Sequence, residues 1–466
     1  MSTGPAGRAP SGMGGPPGGE MSGGGALPIT GWRQTFSSLS GNRDFKNLFI
    51  GNVGFFFGMN MMIILRGWLV QDKWDNASYL GFIMASVAIP MLVLSPIAGV
   101  VTDRVDRRKL LLVAQGWLVV INSIVAVLII TDDIQFWHLL VVSTLTGAAF
   151  AFNMPGRQAL VATLVPRDRL MNAMALSTAT MNISRILGPA IGAVLIGPIG
   201  IGGAYVVSTA FFLFATLATF VLPPMPSQRE KQFTFVEDFV GGFSYIKQNS
   251  LLMGLMLFAT VPMIFAMPYM TLLPVFADRV WHVGENGFGA MQAASGFGGL
   301  IGALIIANLD SYPKKTRLLV GGAAGFGGFL VLFALSPSFY LGLFLIGLVG
   351  FASMVVMTVN NTSIQLVIPD EMRGRVMSVM MMTFGLMPLG AVPAGVAAEG
   401  VGVRPVVVTG GLLCIVAMFI IVATVAAFRR LDDEIAEGQA RQAEESRMRP
   451  DGSPSMAPGM AAVKPR

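Results

Sequence analysis

The apolar run 172–197 carries a single charge, Arg185. If the run is helical, that guanidinium sits about 20 Å along it, near or just past mid-depth of a bilayer. An unpaired cation at such depth costs at least ~2.5–3.5 kcal/mol, so Arg185 must face water or find a partner. It could attract an anionic ligand or exchange ion-pair partners between conformations. Bonding to backbone carbonyls beside Pro189 would satisfy it as well. Asn60, Asn122, Asn153, Asn182, Asn360 and Asn361 lie toward the middle or inner portions of apolar runs, and Gln292 nearer an outer mouth. Such amides can bond a ligand, although bonding a neighbouring helix is their commoner use. The 31 methionines cluster at Met59, Met61 and Met62, at Met263, Met267 and Met270, and at Met380–Met382 with Met387. Flexible thioethers suit a pocket that accepts several apolar shapes, and they also serve plain helix packing. No carboxylate falls within the middle of a run. Asp103 and Asp310 mark inner ends, while Asp72, Asp75, Glu285 and Glu399 lie at or near outer ends. A carboxylate whose burial alternates can couple protonation to movement.

Other chemistries find no support. The two histidines, His138 and His282, and the one cysteine, Cys414, are far apart in the chain and lack metal-ligand spacing. No catalytic constellation, metal site or cofactor is expected. One cysteine cannot form an intramolecular disulfide, and no G-x-x-x-x-G-K-[ST] loop is present to bind a nucleotide.

The elements that must position these residues are set by composition. Of 466 residues, 54% are hydrophobic and 12% charged, about half the charge of a soluble domain. Mean hydropathy is +0.68. Twelve apolar runs, each long enough to cross a bilayer, lie at roughly 47–70, 78–101, 110–130, 136–155, 172–197 and 203–223, then 251–276, 287–309, 317–335, 339–363, 376–399 and 404–428. A soluble enzyme with one large core is excluded. The expected organisation is a disordered Gly/Pro-rich tail over 1–31, a six-helix half over 32–223, a linker over 224–250, a second six-helix half over 251–430 and a disordered tail over 431–466. Within the linker, Phe235, Val236, Phe239, Val240, Phe243 and Ile246 recur at helical spacing. This predicts an amphipathic helix along the inner membrane surface.

The net charge of +6 does not indicate nucleic acid, because the cations recur in short bursts between runs. The bursts fall in alternate loops: Arg104, Arg107, Arg108 and Lys109; Arg157, Arg167 and Arg169; Lys314, Lys315 and Arg317; Arg373 and Arg375. By the positive-inside rule, these loops and both termini are cytoplasmic. Arg66 lies toward the outer end of the first run, where it can snorkel.

The chain also repeats itself. Asp103-Arg-Val-Asp-Arg-Arg-Lys109 after the second run is echoed by Asp310-Ser-Tyr-Pro-Lys-Lys315 after the eighth, and Pro166-Arg-Asp-Arg169 before the fifth by Pro369-Asp-Glu-Met-Arg373 before the eleventh. Two related halves of six spans fit a transporter that rocks about a midplane site.

Two motifs carry a family resemblance. Gly99-Val-Val-Thr-Asp103-Arg104-Val-Asp106-Arg107-Arg108-Lys109 closely resembles the loop between the second and third spans of the major facilitator superfamily. Its physical logic is a latch. Gly99 allows close helix contact, Asp103 faces the positive end of a neighbouring helix, and the cations hold the loop at the anionic leaflet. Asp106 stands where that family has Gly and is expected to pair locally with an Arg. Ser184-Arg185-Ile-Leu-Gly188-Pro189-Ala-Ile-Gly192-Ala193 resembles the fifth-helix motif of the antiporter branch. There Ser184, Gly188, Pro189 and Gly192 provide close packing and a bend. The basic residue often found within the fourth span of drug antiporters is missing.

With Arg43-Asp-Phe45, Asn153-Met-Pro-Gly-Arg157-Gln-Ala159 and Pro369-Asp-Glu-Met-Arg-Gly-Arg375-Val376, the chain resembles the subgroup of enterobactin exporters and macrolide-efflux permeases. The resemblance implies an all-α membrane protein of twelve transmembrane helices in two pseudo-symmetric halves. It further implies proton-coupled export of amphipathic small molecules by alternating access. Candidate substrate or coupling residues are Arg185, Asn60, Asn153, Asn360, Asn361 and Asp310. The expected partners are a small-molecule substrate, protons and the inner-membrane lipid; the chain is expected to be monomeric. A lipid or lysolipid translocator, or a non-transporting sensor or scaffold, would share the same spans.

Overall fold

Several apolar runs begin beside a polar side chain that satisfies the free N–H groups of a helix start. In the computed structural model, which describes residues 42–165, 167–225, 235–309, 314–425, 428 and 431–435, Asn42 caps α1 (Arg43–Trp74), accepting from Phe45 N at 2.9 Å. Asn76 caps α2 (Ala77–Arg104) through Ser78 N at 2.9 Å. Asp106 caps α3 (Arg107–Ile130) through Lys109 N at 3.0 Å. At α4 (Phe136–Leu164), His138 Nδ1 accepts from Gln135 N at 3.1 Å, which gives that histidine a structural task. These bonds matter because hydrocarbon offers backbone groups no alternative partner.

The next helix, α5 (Arg167–Phe220), covers two predicted runs and is interrupted at Gly200, whose φ of 69° is open to glycine at little cost. Then come the linker helix α6 (Phe235–Gln248), α7 (Ser250–Phe265), α8 (Tyr269–Val275) with a π turn at Phe276–Val280, α9 (Gly284–Asn308), α10 (Lys315–Leu335) and α11 (Phe339–Val367). The chain continues as α12 (Asp370–Thr383), a 3₁₀ turn at Phe384–Leu386, α13 (Pro388–Val401) and α14 (Val403–Thr424). Among the described residues, ten helices are long and apolar enough to cross a membrane. The break at Gly200 divides one of them, and the predicted eleventh run is split into α12, a turn and α13.

Within each half, helices meet backbone to backbone. A Cβ at Gly147 of α4 would collide with the carbonyl of Val87 on α2, and one at Gly350 of α11 with the carbonyl of Ser295 on α9. The same pairing thus recurs in both halves. Between the halves run two seams. On one, α2 meets α13, with Gly395 and Gly81 placed so that a Cβ would lie 2.7 Å from the carbonyls of Ala77 and Ala391. On the other, α5 meets α9, where Gly289 abuts Ala193 and Gly296 abuts Ile186.

Two expectations shift. The tail predicted from 431 is ordered at its start: 431–435 are helical, and Leu431 and Ile435 are buried in the core. The linker helix forms, but Ile246 is buried in protein, and a Cβ on Gly242 would lie 2.6 Å from the Arg375 carbonyl. Two adjacent glycines let α6 dock on α12 rather than lie only on lipid. The expected tails over 1–31 and 436–466, the start of the linker and Asp310 lie outside the described residues.

Candidate functional site

The molecule has a basic end, which holds the 2–3, 4–5, 8–9 and 10–11 loops, and an opposite acidic end. At the acidic end Arg279 ties the halves together. Its Nε lies 2.6 Å from Asp75 Oδ1, and its two Nη atoms lie 3.3 Å from the Glu399 carboxylate. Glu399 also accepts from Ala77 N at 2.8 Å, and Gln71 Nε2 donates to Asp278 at 2.9 Å. Just inside, Asp132 donates no proton but accepts one from Lys73 at 2.6 Å. That hydrogen bond first, and the ammonium charge second, hold the Asp132 carboxyl below the usual carboxylate range.

The seams run inward from this end to mid-depth. On α2 they reach Leu92, which lies 2.6 Å from a Cβ built on Gly385. Further along α2, which also touches the linker helix α6, a Cβ on Gly99 would meet nothing within 4 Å among the described residues. The close helix contact expected at Gly99 is therefore absent in this conformation. Asp103 lies in α2, but its side chain is not among those described. Arg104 is exposed. Arg107 donates to Thr163 Oγ1, and Arg108 donates to Phe220 O at 2.5 Å with its guanidinium over the Phe220 ring. Asp106 does not pair with an arginine as expected. It caps α3 and accepts from Met225 N at 2.9 Å, because the helix start and the segment after α5 present free N–H groups to it.

The fifth-helix motif sits between two neighbours. Toward α1, a Cβ on Gly188 would lie 2.7 Å from Asn60 Cβ, and one on Gly192 2.8 Å from Ile64. Ser184 and Pro189 are buried. On the other side lies α9, so α5 joins its own half to the opposite one. Asn60 is packed beneath Gly188 and donates to Phe56 O of its own helix at 2.8 Å.

Arg185 lines an open pocket with Asn182, Ser295, Gly299 and Ser353. It is exposed and makes no hydrogen bond or ion pair among the described residues. The alternative of bonding to carbonyls beside Pro189 is not realised. Tyr269 shares a hydrogen bond with Ser295 at 3.3 Å on the same wall. Asn360 and Asn361 line a second cavity, about 490 Å³, with Met263, Met267, Met357 and Met380. Asn360 donates to Leu255 O at 3.3 Å, while its own oxygen and that of Asn361 are buried without a partner.

Asn153 is elsewhere. It is fully buried and accepts from Arg157 Nε at 3.3 Å. Arg157, read from sequence as a loop cation, lies inside α4, 4% exposed. It donates also to Asn52 and stacks with its guanidinium carbon 4.1 Å from the centre of the Phe55 ring. Pro155 made the run look finished there, yet membrane helices tolerate proline; the Asn153–Arg157 spacing of one helical turn was the available signal. Arg66 does not snorkel: it is buried and donates to Ser143 at 3.1 Å and Thr146 at 3.3 Å.

Paired helix packing, two seams and a central cavity define a major facilitator transporter, a multi-pass membrane protein built entirely of helices among the described residues. The chain is similar in fold to the nucleoside transporter NupG, with a TM-score of 0.66 at 15% identity, covering 82% of this chain and 98% of that one. It is also similar to a bacterial homolog of the human lysosomal transporter Spinster, with a TM-score of 0.61 at 13% identity, covering 85% and 97%. More specifically, residues 34–451 match the transmembrane secretion effector family, and the chain belongs to that family. Among similar proteins are the staphyloferrin A transporter of Staphylococcus aureus, 26% identical over 73% of this chain and 84% of that protein, and the enterobactin exporter EntS of Shigella flexneri, 23% identical over 74% and 82%. Macrolide efflux protein A of Streptococcus pyogenes is 24% identical over 65% of this chain and 75% of its own.

Proposed function

We propose that the chain is an exporter of amphipathic small molecules, driven by proton influx and working by alternating access in a bacterial inner membrane. The observation that carries this reading is the asymmetry of the seams. They are tied by Arg279, Asp75 and Glu399 at the acidic end, and among the described residues their close glycine contacts reach as far as Leu92 and Ile186, next to Arg185 and the methionine-lined pocket. With the basic end cytoplasmic, this is a state that loads from inside. The two halves, 32–223 and 251–430, rock as a monomer about the cavity, with 224–250 as their tether. Gly99, Asp103, Arg104, Arg107 and Arg108 form a latch that engages when the basic end closes, which accounts for the empty space now beside Gly99. Gly188 and Gly192 keep α5 close to α1 while its opposite face moves against α9.

The test is efflux from cells lacking their own exporters, against dyes, macrolides and a catecholate siderophore, with and without a protonophore. Protonophore-sensitive efflux of any of these supports the proposal. No efflux, with the protein confirmed in the membrane, overturns it in favour of lipid translocation or sensing.

A further inference from the structure

The two interior cavities adjoin at Ser353 of α11, which lines both. Their chemistry differs. On one side of Ser353 are an unpaired guanidinium, the Asn182 amide and the Ser295 hydroxyl. On the other side the wall is Phe258, Phe326 and four methionines. The Ser353 hydroxyl donates to Gly350 O at 2.9 Å within its own helix, so it offers the cavity little beyond an acceptor.

A guanidinium presents five donors in a planar fork that matches an oxyanion. Arg185 leaves that fork unused among the described residues and turns it toward a cavity. An exposed cation in a concave site without a counter-ion among the described residues still attracts anions and repels amines. The methionine cavity supplies adaptable apolar contact and adds no charge. We infer that the site takes amphipathic organic anions, with a carboxylate, sulfonate or phosphate group at Arg185 and the apolar body in the methionine cavity, joined past Ser353. This deepens the export reading above and rests on it for direction of movement, though not for binding.

The placement also divides the ligand between the two bodies. Arg185 belongs to α5, and the apolar cavity is built by α7, α10, α11 and α12 with Met267. A bound anion therefore spans the α5–α9 seam, whose last close contact, Gly296 on Ile186, lies beside Arg185. An anion seated there neutralises Arg185 beside the seam, while the apolar body keeps hold of the second half.

The experiment uses the full chain in zwitterionic nanodiscs and three fluorescent probes of one skeleton: 4-(1-pyrenyl)butyrate, the matching alcohol and the matching amine. Signal from empty discs is subtracted. The acid is expected to bind saturably and at least about tenfold more tightly than the amine, the scale of hydrogen bonds to a charged group. Arg185→Ala is expected to weaken the acid by about tenfold and leave the alcohol within about twofold, with Arg185→Lys recovering part of the loss. Met357→Trp, which fills the apolar cavity, is expected to weaken acid and alcohol alike. Equal affinity for acid and amine on the unaltered chain overturns the inference, and that comparison stands even if the Arg185 variants fail to fold. Unchanged binding of the acid to folded Arg185→Ala overturns it too. Preferential acid binding without efflux from cells sinks the export reading and supports this one; efflux of amines with no preference for acids does the reverse.

Discussion

The two halves share one pattern of helix packing and have opposite interiors. In the amino-terminal half two arginines are buried: Arg66 against Ser143 and Thr146, and Arg157 against Asn52, Asn153 and the face of Phe55. No carboxylate pairs with either among the described residues. The carboxy-terminal half instead encloses methionines and two asparagines with unpartnered oxygens. Buried cations held by neutral groups are costly and geometrically demanding, so they fix the first half in one arrangement. Thioethers have three rotatable bonds and weak directional preference, so the second half can repack around different apolar shapes. The comparison teaches that one half works as a pinned frame and the other as an adaptable wall, with Arg185 on the frame's edge facing the wall.

The sharpest way to break this contrast is to remove the pin. Arg157→Leu should cost about 3 kcal/mol, since it strips charged hydrogen bonds from two buried amides, and Asn360→Leu should cost about 1 kcal/mol, having one long bond to lose. Thermal unfolding in detergent reads the difference; equal losses would erase the distinction between frame and wall. Next come substitutions that should act alike in both halves. Gly147→Ala and Gly350→Ala each force a Cβ into a neighbouring backbone carbonyl, and each should lower stability by about 2–3 kcal/mol. A large loss in only one half would mean that the shared packing does not bear equally on the two.

A smaller effect is expected at the wall. Met263→Leu and Met357→Leu keep volume and should cost less than about 1.5 kcal/mol, while changing the relative efflux of differently shaped compounds. Stability unchanged together with an unchanged efflux profile would remove the adaptable role from these side chains. The smallest effects belong to the acidic end. Arg279 is 29% exposed and Glu399 36%, so Arg279→Gln should cost about 1 kcal/mol or less. Spin labels at Asn76 and Gly400 should nevertheless show longer distances between the halves in the variant. Cys414, buried in α14, does not compete for the label. The Lys73–Asp132 pair sets the floor. Because Lys73 lowers the Asp132 carboxyl, whatever the pair contributes is present above the usual carboxylate range and is lost only as pH falls through the lowered value. Asp132→Asn should thus lower thermal stability by the same small amount at every pH between about 5 and 8, and the difference from the unaltered chain should shrink only at lower pH.

Much of this was legible in the chain. Apolar length and alternate basic loops are local properties, and they specify helices that cross a membrane because hydrocarbon permits few other backbones. The Ser184–Gly192 spacing identified a tightly packed helix, since small residues one turn apart share a face. Arg185 stood out by charge alone in an apolar run. What lay beyond the sequence was orientation and company. Beyond its one-turn spacing from Asn153, nothing local shows that Arg157 folds into α4 against Phe55, nor that Asn60 turns back on its own helix while Asn360 and Asn361 face a pocket. That Gly99 meets no neighbour among the described residues depends on how distant helices are placed around α2. Sequence by itself determined the spans, the repeat and the unusual cation, which follow from the cost of placing residue types in lipid. Only the tertiary structure decided which polar groups are consumed by packing and which, like Arg185, are left facing open space, because that depends on contacts between residues far apart in the chain.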